Sequence, residues 1–211
     1  MAKASNARLL ILPLIIGIVL GIIAKLVDVP YITSGFPLFD DIMGRFGIWV
    51  WAAALISIRS KTALYAAARS FLFFAGMLAA YYGYTVIFLH FFPKSQILLW
   101  SGIGMVTPFC GFLIWQVNKE YYYANLISSL PFSIFFTEWY FTASTAWNWN
   151  GKDKLLLSIA YFCFSISLLA VIPTNKKRVF SVIYGVLISL ILIGLIQTGI
   201  IINPYELLLN V

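Results

Sequence analysis

The sequence predicts an all-α, polytopic transmembrane helical protein of about seven spans, N-terminus inside and C-terminus outside. Three observations carry that expectation. Of 211 residues, 62% are hydrophobic and only 10% are charged, with a mean hydropathy of +0.95, which leaves too little polar surface to cover a water-soluble globule. The apolar residues gather in seven runs, each near the ~20 residues a helix needs to cross hydrocarbon while satisfying its own backbone. The 14 Lys and Arg residues then sort unequally between the two sides these runs define. Disorder is excluded as well, because it needs low hydrophobicity and high charge. A disulfide scaffold fails, since the 2 cysteines, Cys110 and Cys163, sit near mid-depth in apolar runs, where a buried thiol is an inert small hydrophobe.

The first run, residues 9–27, follows Lys3 and Arg8 as a signal-peptide core would. It is too long for one and lacks an A-x-A site, so it is expected to stay as a helix, with Gly17 and Gly21 as a small-residue contact face. The segment from Asp28 to Asp41 reads either as an ordered outer turn or as a plain linker. The second run, 42–58, begins beside Arg45 and is close to the lower limit for crossing. Residues 63–69 read as an interfacial turn of helix from which Arg69 snorkels to the head groups. The third run, 71–92, carries a small-residue stripe of Ala75, Ala79 and Gly83, widened by Gly76 and Ala80. It closes on His90, which reads as interfacial, because one histidine cannot make a typical zinc site.

The fourth run, 96–117, holds Gly104, Pro108 and Gly111, a candidate kink. The fifth, 124–146, contains Pro131 and Glu138; the sixth is 155–173; the seventh, 179–202, repeats the small-residue device with Gly185 and Ser189. The runs leave too few residues for an extramembrane domain, so 1–211 reads as a single integral membrane domain. With the N-terminus inside, the inner side holds Lys3, Arg8, Arg59, Lys61, Arg69, Lys119, Lys176, Lys177 and Arg178. The outer side holds Lys25, Arg45, Lys94, Lys152 and Lys154, with Asp28, Asp40, Asp41, Asp153 and Glu206. Tryptophans fall mostly at the ends of the runs, and Trp51 lies well inside one. The net charge of +7 therefore reads as topology, and no nucleic-acid partner is expected.

Glu138 is the most informative residue. It lies just outward of the middle of the fifth run, where an ionisable group costs on the order of a few kcal/mol unless it faces a partner or water. Helical spacing puts Ser128, Pro131, Phe135, Glu138, Thr142 and Thr145 on one face. Two readings stand. In one, Glu138 and Thr142 with the aromatic walls of Trp139, Tyr81 and Tyr84 bind a small cationic or amine-bearing solute from the outer side. In the other, Glu138 is structural, protonated or paired with Arg45, Lys94 or Lys152. No metal, cofactor or catalytic residue is expected: zinc-protease, Walker A, C-x-x-C and serine-protease motifs are missing, and an acid–base pair would need a second ionisable group.

The stretch Phe71-Leu72-Phe73-Phe74-Ala75-Gly76-Met77, with Tyr81-Tyr82-Gly83-Tyr84-Thr85, Phe91-Phe92-Pro93-Lys94-Ser95 and Thr107-Pro108-Phe109, resembles small polytopic membrane proteins of Gram-positive bacteria, in families of unknown function. A looser likeness, in size, hydropathy and small-residue helices, is to the substrate-binding membrane subunits of energy-coupling-factor vitamin transporters, which usually have six spans. These resemblances imply a bacterial plasma membrane location. They also frame two functions: a solute-binding or transport component, or a non-catalytic scaffold, immunity or assembly factor that meets a membrane-protein partner through its helix faces.

Overall fold

The structure, a computed structural model, describes residues 2–28, 42, 46–149 and 152–200. Their regular structure is helical throughout: α1 (Ala2–Val27), α2 (Phe46–Ile58), α3 (Ala63–Leu89), α4 (Lys94–Trp115), a 3-10 turn (Gln116–Asn118), α5 (Tyr122–Trp149), α6 (Lys152–Val171) and α7 (Asn175–Gln197). One helix lies on each of the seven apolar runs. The expected outer turn with Asp40 and Asp41, Arg45, and the tail with Pro204 and Glu206 lie outside the described residues.

Five helices, α1, α3, α4, α6 and α7, are long and apolar enough to cross a membrane. Large apolar side chains such as Ile15, Phe88, Leu98, Ile166 and Leu190 stand exposed on them, as lipid contact requires. α5 has ample length at 28 residues, but its serines, threonines and Glu138 dilute its apolar content. α2 has 13 residues, about 20 Å at the helical rise, against roughly 30 Å of hydrocarbon. Residues 63–69 are continuous with α3, whose start is capped by Thr62 accepting from the Tyr65 N–H at 3.2 Å. His90 closes α3 in the left-handed region, φ 50°, its N–H returned to the Thr85 carbonyl. Cys110 and Cys163 are free thiols on exposed helix surfaces.

The chain divides into two compact units, 1–44 with 52–115, and 45–51 with 116–211, so that α2 is shared between them. In the first unit α3 packs against both α1 and α4. The α1 contact is parallel and advances four residues at a time on each helix: Gly17 lies on Phe73, Gly21 on Met77, and Lys25 reaches Tyr81. A Cβ on Gly17 would stand 2.1 Å from the Phe73 carbonyl oxygen, so only glycine allows this approach. Gly76 is pressed in the same way against Leu14. The contact therefore runs along Phe73, Gly76 and Met77, whereas Ala79 is exposed and no described residue lies within 4 Å of a Cβ placed on Gly83. α4 runs antiparallel to α3, with Gly111 against Ala66 and Ser70, and Gly104 against Leu78.

In the second unit α5 packs against both α6 and α7, which barely touch each other. The α5–α7 contact is again parallel. Ser128 and Ser181 share a hydrogen bond between their hydroxyls, Gly185 leaves room for the ring of Phe132, and the Ser189 hydroxyl donates to the Ser133 carbonyl at 3.0 Å. Toward α6 the contact is aromatic, with Phe135 near Tyr161 and Phe164, and Trp139 near Phe162. The first half of α2 joins this cluster: Gly47 lies against Tyr161, and the Trp51 indole lies tilted against Phe164, ring centroids 5.2 Å apart. Trp51 Nε1 donates to the Ser167 hydroxyl at 2.7 Å, a partner that an indole N–H buried in an apolar run requires.

Candidate functional site

α5 is the helix from which a site can be built, because its polar residues are turned inward. Ser128, Pro131, Phe135, Glu138 and Thr142, the face drawn from helical spacing, are all buried, while Leu126, Leu130 and Ile134 form the exposed strip. The inward arc is wider than spacing suggested. Ser129, Ser133 and Thr137 form a second buried row, one residue in four, next to the first. The side chain of Thr145, the last member expected on the face, lies outside the described residues.

Most of these hydroxyls are internally satisfied. Ser129 donates to the Leu126 carbonyl at 2.6 Å and Ser133 to the Leu130 carbonyl at 2.8 Å, the usual refuge of a serine in a helix. Thr137 departs from the pattern: it is 5% exposed and its Oγ1 has no hydrogen-bond partner among the described residues. The Asn125 Oδ1 is likewise buried without a donor. Pro131, which has no N–H, leaves the Ile127 carbonyl without its helical partner one turn below Phe135. A buried polar atom left without a partner calls for an explanation, and a ligand or an ordered water is one.

Glu138 is 9% exposed and follows Thr137 in the chain. A carboxylate in that place attracts a cation or, when protonated, donates a hydrogen bond. Thr142 is buried one turn further on, so the two residues share a face. Trp139 stands on the adjoining face, half-buried between Phe136 at 5.0 Å and Phe162 at 5.8 Å. Of the site residues expected from sequence, Glu138, Trp139 and Thr142 thus belong to α5 in the second unit. Tyr81 and Tyr84 belong to α3 in the first.

Tyr81 is held by partners of its own. Its hydroxyl donates to Asp28 Oδ2 at 2.7 Å, the same oxygen takes a 2.6 Å ion pair from Lys25, and the Lys25 ammonium lies 4.7 Å from the Tyr81 ring centroid. Lys25 is buried at the end of α1, where this ion pair and the cation–π contact give its ammonium partners. Tyr84 packs on Phe88 at 4.7 Å. Sequence reasoning missed the Lys25–Asp28–Tyr81 group, although the Lys-x-x-Asp spacing at a helix end was a usable sign. It also missed Ser181, whose four-residue step to Gly185 and Ser189 completes the small-residue row of α7.

The basic residues at the start of α7 have structural duties. Arg178 donates from Nε to the Ile172 carbonyl at 3.0 Å and from Nη2 to the Ala170 carbonyl at 3.1 Å, satisfying the open end of α6. Lys177 donates to the carbonyls of Val117 and Lys119, tying the start of α7 to the segment before α5. Among the described residues no three His, Cys, Asp or Glu side chains gather as a metal site would need. No protein-family model, curated protein or solved structure matches the chain.

Proposed function

We propose that the protein is a multi-pass protein of a bacterial plasma membrane, with seven spans, N-terminus inside and C-terminus outside, that binds or transports a small cationic or amine-bearing solute at an outward-facing site on Glu138. The carrying observation is a carboxylate buried in α5 beside the unpartnered hydroxyl of Thr137, on a helix with more polar residues turned inward than lipid contact explains. Thr142 and Trp139 extend the site along α5 as a hydroxyl and an aromatic wall.

Seven spans are supported by helix direction. α1 and α3 run parallel in contact, as do α5 and α7, so α2 and α6 each return the chain between them. Orientation is supported by charge: Arg59 and Lys61 lie at the start of α3, and Lys176, Lys177 and Arg178 at the start of α7, the ends that an inside N-terminus places in the cytoplasm.

The test is a thermal-shift screen of purified protein against small amines and vitamins, followed by Glu138→Gln. A ligand that stabilises the parent and not the variant is the expected result. Equal stabilisation of both removes Glu138 from the site.

The second reading, a scaffold or assembly factor docking through helix faces, draws on Gly83 and Ala79, small residues on an open face of α3. A membrane partner that copurifies with the parent and is lost with Gly83→Leu would favour it.

A further inference from the structure

We infer that the turn between α2 and α3 is a binding site for a phosphate group, that of an anionic lipid head group or of a free phosphate, held at Nη2 of the Arg69 guanidinium and by its basic neighbours. Arg69 lies two turns into α3, and its side chain runs back toward the helix start, where Nη1 donates to the Ser60 hydroxyl at 2.9 Å. Ser60 is fixed in turn: its hydroxyl donates to the Ile56 carbonyl at 2.7 Å, and its carbonyl accepts from Trp115 Nε1 at 2.9 Å. The guanidinium is therefore aimed by a buried hydroxyl. No carboxylate lies within ion-pair distance of it among the described residues. Its Nε is buried and has no acceptor among the described residues. Because Nη1 is engaged and Nε is buried, the donor left to reach a phosphate oxygen is Nη2, which makes no hydrogen bond among the described residues.

The surroundings have one sign. Arg59 and Lys61 flank Ser60 on the same turn and are exposed. The first turn of α3 carries no acidic residue, so the positive end of a 27-residue helix adds to the three cations. Positive-inside sorting accounts for Arg59 and Lys61 as loop charges. It does not account for a guanidinium drawn into the helix layer and fixed on a serine. The contrast with the start of α7 is direct: Lys177 and Arg178 lie in an equally basic stretch, but both donate to backbone carbonyls, whereas among the described residues the acceptor Arg69 meets is a hydroxyl.

The experiment measures thermal stability and lipid retention of the full chain in phosphatidylcholine nanodiscs, with phosphatidylglycerol added in one arm and inorganic phosphate in the other. Phosphatidylglycerol is expected to stabilise the parent. Arg69→Gln is expected to weaken that response about tenfold, as loss of a charge-assisted pair should. Arg59→Gln with Lys61→Gln alters only exposed side chains, so folding is kept, and it should weaken the response severalfold. The same pattern with inorganic phosphate alone would uphold the site and identify free phosphate as its source. If these variants respond to both additives as the parent does, or if phosphatidylcholine alone stabilises equally, the site does not exist.

Discussion

At the scale of single residues, glycine decides where helices can touch. A Cβ on Gly17 would meet the backbone oxygen of Phe73, which cannot rotate away. Gly17→Ala is therefore expected to destabilise the protein by about 1–3 kcal/mol, as overpacking does, and a thermal melt in detergent reads it directly. Gly83→Ala is the control, since its Cβ meets open space and alanine favours helix by roughly 0.5–1 kcal/mol. A melt unchanged by the first and lowered by the second would reverse the assignment of the contact face. Trp51→Phe removes the bond to Ser167 and keeps the ring on Phe164, so a loss of roughly 1 kcal/mol is expected.

At the scale of elements, much of the architecture was legible because hydropathy and helical period are the same physics as burial in lipid. Every apolar run became a helix, and the face of α5 from Ser128 to Thr142 turned inward as its spacing required. The contact face of α3 was legible only in part, at Gly76. Ala75, Ala79 and Gly83 form a neater stripe than Phe73, Gly76 and Met77, but α1 brings two glycines of its own, and those let the backbone at Phe73 and Met77 come close. The smallness needed for close approach was thus supplied by the partner helix, which period counting on one helix cannot show. Pairings across helices, such as Ser128 with Ser181, were hidden for the same reason. That pair is open to a double-mutant cycle: Ser128→Ala and Ser181→Ala should couple by about 0.5–1 kcal/mol, while additive losses would mean the hydroxyls act separately.

At the scale of the whole molecule, each unit is organised on one helix that packs against two others, α3 in the first and α5 in the second. The difference lies in what those helices bury. α3 buries mainly aromatic and small residues, and α5 buries serines, threonines and Glu138. The proposed topology is tested with single cysteines at exposed positions in a background lacking Cys110 and Cys163. Lys61→Cys should react with an impermeant maleimide only from the cytoplasmic side and Lys94→Cys only from outside; the opposite pattern would invert the protein. The site itself is tested most directly by binding. A small amine found in the thermal-shift screen is titrated calorimetrically into the parent and into Glu138→Gln, a replacement of the same shape. The expected result is saturable binding to the parent that weakens tenfold or more in the variant, about the value of one charge-assisted contact. Equal affinity for the two proteins would contradict a site built on Glu138.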